Sequence, residues 1–347
     1  MDRQELADVL RHGYEAVTLH PLSPAFGAVF FDGRVATSYD GELAVISPCS
    51  LPVAGGVDGR MLKNWVLSCS GSDVKVDESS TEVVFKCGRS TLRLPKLDPT
   101  QLVFELPAGS GVALTDVEEL LGMMAKALPF VGADDAHLWR VGMTMDVDDV
   151  ATLYATDNVS MISCSAVVDS EGPTQTVLPA RFVKALLAQV KRSSLAAIEI
   201  GDGWVLGVFD DGRLLFAQTG VEFGADQYLE VLGSCTHGVA CWRPVTEELG
   251  EALNRVAVTL KILGSDECQL SVTEDGLTIT TDPENMAVAR EEVPFVLDED
   301  VEMWVYVQEL LRVLEDGELI TIQPQFVVVT GEGFTAVVSA AVADEDD

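Results

Sequence analysis

The stretch Leu153-Tyr154-Ala155-Thr156-Asp157-Asn158-Val159-Ser160-Met161 says most about the fold of this chain. Its first half has the composition of a strand, and a threonine-aspartate pair then ends that strand at a turn. An aspartate also follows a strand-like run at Tyr39-Asp40 and at Thr281-Asp282. The three aspartates are about 120 residues apart, and this regular spacing predicts a structural unit that occurs three times.

Each unit is predicted to contain two amphipathic helices. The first helix precedes the aspartate, and the second follows it by some 20 residues or more. Apolar residues at helical spacing place the first helices at Asp2–His12, at Thr115–Leu128 and after Thr246, with Thr115 and Thr246 as N-caps and Glu118 completing a capping box. The second helices are predicted at 59–66, 180–187 and 307–314, and alternating apolar runs typical of strands follow each of them.

These patterns predict an α+β protein of three similar domains, each with two helices packed on antiparallel sheets. The predicted domains are residues 1–113, 114–243 and 244–347, the last ending in an acidic tail. Gly201-Asp202-Gly203 and Gly331-Glu332-Gly333 are interpreted as hairpin turns. The acidic run 146–149 is interpreted in the same way, with a divalent-cation site as the alternative.

The composition excludes several classes of protein. The 347 residues include 22 Lys and Arg against 56 Asp and Glu, a net charge of −34. A protein that binds nucleic acid over its whole surface needs an excess of Lys and Arg, because these side chains must displace the counterions of the phosphates. The four histidines are scattered, and the seven cysteines include no C-x-x-C pair. We therefore expect reduced thiols, no metal, no cofactor and no enzymatic activity.

The chain is also expected to be cytoplasmic. It has no run of about 18 uninterrupted apolar residues, and its first residues lack the order of a signal peptide.

The quoted stretch is similar to the A-T-D-G-H-R-L-A segment of the bacterial DNA polymerase III sliding clamp, the β subunit. Leu178-Pro179-Ala180-Arg181 resembles the start of that family's following helix, and the resemblance extends over essentially the whole chain. It implies a head-to-tail homodimer of three-domain subunits, a ring whose helices line a central hole. A clamp loader opens such a ring around DNA, and the ring then tethers a polymerase through short peptide motifs.

An acidic protein can hold DNA if it forms a ring of this kind, because the closed ring retains the DNA and only the surface of the central hole must be positive. More than half of the basic residues fall in or at the ends of the six predicted helices. The residues expected to face DNA are Arg60, Lys63, Lys126, Arg181, Lys184, Lys191, Arg192, Arg255 and Arg312.

The resemblance places a peptide pocket between the second and third domains. The residues expected to line it are Thr156, Asn158, Val159, Met161, Leu232, Val337 and Val338. The family's Gly-His-Arg-Leu positions are replaced here by Asn158, Val159, Ser160 and Met161, so a different peptide preference is expected. This divergence suggests a clamp encoded by a bacteriophage or another mobile element.

The family's subunits join through edge strands of the first and third domains. Leu102-Val103-Phe104 and Leu260-Lys261-Ile262-Leu263 are the strands expected to do so here, with Val103, Phe104, Ile262 and Leu263 at the dimer interface. An alternative function is a clamp-fold interaction scaffold that does not encircle DNA. A third possibility, an enzyme with an unseen site, has no convergent catalytic residues in its favour.

Overall fold

The fold is described from a computed structural model, which describes residues 1–132, 141–219, 225–237, 239, 241–282 and 288–341. The helices of this part of the chain are α1 (Arg3–Gly13), α2 (Gly59–Ser68), α3 (Glu118–Ala127), α4 (Ala180–Val190), α5 (Ala225–Thr236), α6 (Glu247–Leu263) and α7 (Val307–Leu314). None of these helices has the combination of length and apolar character that a membrane-spanning segment requires. His137, one of the four histidines, and the acidic tail lie outside the described residues.

The strands are β1 (Ala28–Phe31), β2 (Val35–Tyr39), β3 (Leu43–Pro48), β4 (Gly55–Asp58), β5 (Val74–Glu78), β6 (Glu82–Cys87), β7 (Ser90–Pro95), β8 (Val112–Thr115), β9 (Gly142–Val147), β10 (Ala151–Thr156), β11 (Ser160–Ala166), β12 (Asp169–Ser170), β13 (Thr174–Pro179), β14 (Leu195–Gly201), β15 (Trp204–Phe209), β16 (Leu214–Gln218), β17 (Arg243–Pro244), β18 (Glu267–Thr273), β19 (Gly276–Thr280), β20 (Arg290–Val293), β21 (Val301–Tyr306), β22 (Leu319–Ile322), β23 (Phe326–Gly331) and β24 (Phe334–Ser339).

The predicted threefold repeat is confirmed by the order of these elements. Each repeat has a first helix, three strands, a further strand that leads directly into the second helix, and three closing strands. Repeat 2 has the additional two-residue strand β12, and the short strands β8 and β17 precede the first helices of repeats 2 and 3. The first helices are α1, α3 and α6, and the second helices are α2, α4 and α7. Repeat 1 ends at β7, repeat 2 at β16 and repeat 3 at β24. Helix α5 lies in the connection between repeats 2 and 3.

The chain divides into two compact units. The first unit comprises Met1–Leu121, Val147–Asp149 and Val168–Gly220, and the second comprises Gly122–Asp146, Val150–Val167 and Val221–Asp347. The division into three domains at 113 and 243 therefore stays a prediction.

The first unit contains a sheet with the strand order β12-β8-β14-β15-β16-β3-β2-β1-β4 and a small sheet β5-β6-β7. Helices α1 and α2 pack together over a core that includes Leu6, Leu10, Leu62, Val66 and Phe85. In the second unit, β10, β11, β24, β23, β22 and β17 are neighbours in that order, and a separate sheet has the order β20-β19-β18-β21.

Successive repeats are joined in the same way in both units. In the first unit β16, the last strand of repeat 2, pairs antiparallel with β3 of repeat 1. In the second unit β24, the last strand of repeat 3, pairs antiparallel with β11 of repeat 2. Both β3 and β11 directly follow the turn that carries the repeated aspartate. We call these two contacts joint 1 and joint 2.

Most of the locally encoded predictions are confirmed. The second helices lie where they were predicted, and Thr246 caps α6 by accepting a hydrogen bond from the Leu249 N–H at 3.3 Å. The run 146–149 spans the end of β9 and the connection to β10, and both glycine-flanked segments are hairpin turns. Of the seven cysteines, six are buried free thiols and Cys241 is half-buried.

Three predictions of local structure are wrong. Thr115 is not the N-cap of α3, because it belongs to β8, where it pairs with Asp169, and the helix begins at Glu118. Residues 102–104 are not a strand, and residues 260–263 form the last turn of α6, which ends at Gly264 in the left-handed conformation (φ 74°). The predictions also omitted helix α5.

His12 is a buried structural residue near the end of α1. Only 7% of its surface is exposed. Burial, together with the nearby Arg213 and Arg192, lowers the pKa of its imidazole to about 4. The ring is therefore neutral in the folded protein at neutral pH.

We expect His12 to make folding sensitive to acid. Because its pKa is lower in the folded state, its contribution is fully present above pH 6.5 and is lost as the pH falls towards 4. The free energy of unfolding should fall by about 2 kcal/mol between pH 7 and pH 5 on account of this residue. Urea unfolding of the wild type and of His12→Asn at both pH values measures it, and the same pH dependence in both proteins would contradict the expectation.

Candidate functional site

The candidate peptide site is built around the turn between β10 and β11. Thr156 is buried, and its hydroxyl donates to the Ser160 carbonyl at 2.7 Å and accepts from the Asn158 N–H at 3.1 Å. Asp157 Oδ1 accepts from the N–H groups of Val159 and Ser160 at 3.0 and 2.7 Å. These bonds hold Asn158 at a φ of 79°, which asparagine tolerates better than most residues.

Beside this turn, helix α5 packs its apolar face on the sheet. Tyr228, Leu232 and Cys235 are buried at helical spacing, and the Tyr228 ring stacks on Tyr154 with centroids 5.2 Å apart. The full apolar cluster also includes Met161, Ala225, Trp242, Phe326, Val328 and Val337. Met161, Trp242 and Phe326 are its partly exposed members, and we call the cluster the slot.

The structure brings three of the predicted pocket residues together in the slot: Met161, Leu232 and Val337. Val338 is fully buried, and Asn158 is exposed. Val159 is half-exposed, and its carbonyl accepts bonds from the Ser339 N–H and hydroxyl at 2.9 and 3.0 Å. Sequence reasoning missed Tyr154, Tyr228, Trp242 and Phe326, although the spacing of Tyr228, Leu232 and Cys235 could have revealed α5.

Arg312 of α7 fixes the turn beside the slot. It donates to Asp157 Oδ2 at 3.4 Å, to Glu309 Oε1 at 2.7 Å and to the Pro129 carbonyl at 2.8 Å. Glu309 Oε2 in turn accepts from the Ser160 hydroxyl at 2.9 Å, and burial raises the pKa of its carboxyl. Arg312 therefore lies within a network that ties the second helix of repeat 3 to the aspartate turn of repeat 2.

Arg181 of α4 makes the corresponding contact in the first unit. Its guanidinium pairs with Asp40 Oδ2, and it reaches Glu42 Oε2 at 3.4 Å. The Asp40 side chain is 2% exposed, and its Oδ1 accepts from the N–H groups of Glu42 and Leu43 at 3.1 and 3.0 Å. The two arginines thus bind aspartates that occupy the same place in successive repeats.

The remaining cations expected to face DNA differ in their surroundings. Lys126 pairs with Asp316 at 3.1 Å, and Arg255 pairs with Glu291 at 2.9 Å. Lys63 is half-buried over the Tyr14 ring, with Nζ 3.0 Å from its centroid, and desolvation lowers the pKa of its ammonium. Within the described part of the chain, the exposed cations without an ion pair include Arg60, Lys184, Lys191 and Arg192.

The residues predicted for the dimer interface differ in their exposure. Ile262 is 81% exposed on the last turn of α6, and Leu263 beside it is half-buried. Val103 is 79% exposed, whereas the Phe104 ring packs between Tyr39 and Phe216 with centroid distances of 5.0 and 5.2 Å. Phe104 is therefore partly buried and packs against a core cluster of the first unit.

The repeats and their sheets define the sliding-clamp fold, and comparison with solved structures shows it directly. The DNA polymerase sliding clamp of Pseudomonas aeruginosa is similar over 99% of both chains, with a TM-score of 0.84 and 18% identity. The β subunit of Thermotoga maritima DNA polymerase III gives a TM-score of 0.82 and 15% identity, with 99% of this chain and 98% of that chain covered. The Helicobacter pylori β clamp gives 0.83 and 11%, with 99% of both chains covered.

One P. aeruginosa clamp that is similar to this chain was solved with griselimycin bound. No family model and no curated protein matches the chain. The chain therefore has the fold of the bacterial DNA polymerase III β sliding clamps at an identity that establishes the fold alone.

Proposed function

We propose that this protein is a DNA sliding clamp, a ring-shaped processivity factor that encircles duplex DNA and tethers a replicative DNA polymerase. The observation that carries the proposal is the match to sliding clamps over 99% of both chains with a TM-score of 0.84. A shared fold can host several functions. Two features of this chain support the same role: the exposed cations on its second helices and the partly exposed apolar slot.

The distribution of charge fits a protein that slides. Lys184, Lys191 and Arg192 are exposed on or directly after α4 and make no ion pair within the described residues. Cations that contact only phosphates position DNA without reading its sequence. The net charge of −34 disfavours nonspecific binding of DNA to the rest of the surface. Such a protein acts without enzymatic chemistry and needs no cofactor.

The ring requires a homodimer, and the repeat predicts how its subunits join. At both joints the strand that follows the aspartate turn pairs with the last strand of the next repeat. In repeat 3 the strand that comes after Asp282 in the chain is β20, and in repeat 1 the last strand is β7. Within the described sheets both are edge strands, and an edge strand presents unpaired backbone groups that a second copy can bind. Antiparallel pairing of β20 with β7 of a second copy therefore completes a head-to-tail dimer.

The slot is the proposed docking place for the polymerase and for the clamp loader. Met161, Trp242 and Phe326 offer apolar surface that a short peptide with hydrophobic anchors can cover. We also propose that the protein is cytoplasmic and that a bacteriophage encodes it.

We expect Met161→Asp to abolish binding of the replicative polymerase from the same source while the dimer stays intact. The new carboxylate would be desolvated against the peptide's apolar anchor without a partner, so affinity should fall by at least about a hundredfold. Isothermal titration calorimetry measures it. Val167→Asp is the matched control, because Val167 is a 65% exposed apolar residue outside the slot. Normal polymerase binding by Met161→Asp would remove the docking place from the slot.

Native mass and behaviour on DNA test the proposed function. A dimer that stays on closed circular DNA at high salt and leaves after linearisation encircles its template. A monomer that binds partners without retaining DNA would instead be an interaction scaffold.

A further inference from the structure

Two arginine-aspartate pairs tie successive repeats together within the chain. Arg181 of repeat 2 binds Asp40 of repeat 1, and Arg312 of repeat 3 binds Asp157 of repeat 2. In each case the arginine belongs to a second helix, and the aspartate ends the second strand of the preceding repeat. Arg312 lies one helical turn later in its helix than Arg181, on the same helix face. We call each pair a latch.

The aspartate of each latch divides its two oxygens between two tasks. Oδ1 of Asp40 and of Asp157 accepts two backbone N–H bonds from its own turn. Oδ2 receives the arginine of the next repeat. Bonds within the turn therefore leave the second oxygen available for an arginine.

Repeat 1 carries an arginine at the place of Arg181. Arg60 is the second residue of α2, as Arg181 is the second residue of α4, and each helix follows directly on a strand, β4 or β13. Arg60 is exposed and makes no ion pair within the described residues. Within residues 1–347 no repeat comes before repeat 1, so the proposed head-to-tail dimer makes a second copy the source of a partner for Arg60.

We propose that Arg60 of one copy forms a third latch with Asp282 of a second copy. Asp282 follows β19 as Asp40 follows β2 and Asp157 follows β10, one residue further from the strand end. The inference rests on the proposed head-to-tail dimer, in which repeat 3 of one copy precedes repeat 1 of the next. It assigns Arg60 to the subunit contact, in place of the DNA contact expected from the sequence.

A latch at this contact would stabilise the dimer and fix its register. Each copy carries a net charge of −34, so two copies repel one another over long range. A charged pair at one position counters this repulsion and fixes the register of the contact, since a shifted register would separate the charges. A closed dimer would contain two such latches, one at each contact.

A charge swap tests the latch. Sedimentation velocity over a dilution series gives the dimer dissociation constant of the wild type, Arg60→Glu, Asp282→Arg and the double variant. Each single variant should raise this constant at least about tenfold, because it places like charges together, and the double variant should recover most of the loss. High salt should reduce the differences, because exposed charges are screened.

Two further variants keep the test decisive. Lys184→Glu is the matched control, because Lys184 is an exposed cation on α4 without an ion pair in the described residues, and it should leave dimerisation unchanged. Asp282→Asn, which changes only the charge, replaces Asp282→Arg if circular dichroism shows that the arginine variant is unfolded, and it should also weaken the dimer.

The outcomes separate the latch from the dimer itself. A wild type that stays monomeric at all concentrations overturns the proposed dimer and the latch with it. A wild-type dimer whose dissociation constant is unchanged in Arg60→Glu and in the folded Asp282 variant overturns the latch alone. Weakened single variants without recovery in the double variant also overturn it, because the two residues then act independently.

Discussion

Replacing both Ile262 and Leu263 by aspartate is expected to give a folded monomer. Ile262 is 81% exposed and Leu263 is half-buried at the end of α6, so the substitutions should cost the isolated subunit little. The family resemblance places both side chains at the subunit contact, where we expect them to lose contact with water. Each aspartate would then be a desolvated charge without a partner, which costs several kcal/mol, and the contact already joins two acidic copies.

Sedimentation velocity measures whether the variant is a monomer, and thermal unfolding measures whether it is folded. The sedimentation coefficient should fall to that of a single 37.2 kDa chain, and the unfolding transition of the subunit should persist. Val258→Asp is the matched control, because Val258 is a 64% exposed apolar residue of the same helix. An unchanged dimer in the double aspartate variant would show that these residues lie outside the contact.

Retention on DNA should depend on topology rather than on charge once the protein is loaded. On closed circular DNA the wild type should resist high salt, because a closed ring cannot leave without opening. Cutting the same DNA once should release it, since a linear end permits escape. A protein that binds only through phosphate contacts would instead lose affinity steeply with salt on both templates. Gel filtration of loaded DNA before and after restriction cleavage distinguishes the two.

The exposed cations should affect loading rather than retention. Changing Lys184, Lys191 and Arg192 to glutamate should reduce the rate of loading while the dimer and slot binding stay intact, because these side chains make no ion pair within the described residues. Arg181→Glu is a contrasting variant. It would place a carboxylate against the buried Asp40 and should destabilise joint 1. In the retention experiment described above, equal salt sensitivity of the wild type on circular and linear DNA would contradict encirclement.

The sequence alone determined the elements whose signals are local. The helices, the Thr246 cap and the glycine-flanked turns depend on residues close in the chain, so a single sequence is sufficient to predict them. The burial of the cysteines was predicted from the apolar runs around them. The threefold repeat could also be predicted, because the same local sequence pattern occurs three times. These features led to the clamp resemblance, and the fold comparison agrees with it.

Several features were decided by tertiary structure. Thr115 has a good capping sequence, but it is the last residue of β8 and lies opposite Asp169 in the sheet. The apolar run 102–104 is not a strand, and its Phe104 ring packs between Tyr39 and Phe216. The face of α5 is buried by strands more than 60 residues away in either direction, so its environment could not be inferred from its neighbours in sequence.

The latches show most clearly which features the sequence determined and which the tertiary structure decided. Arginines on amphipathic helices were interpreted as cations facing DNA, since a helix pattern records which face is polar but not what that face meets. Arg181 and Arg312 instead bind aspartates 141 and 155 residues earlier in the chain. The sequence determined that these helices carry arginines. Only the pairing of β16 with β3 and of β24 with β11 decided which carboxylates they reach, because that pairing brings the end of one repeat against the turn of the repeat before it.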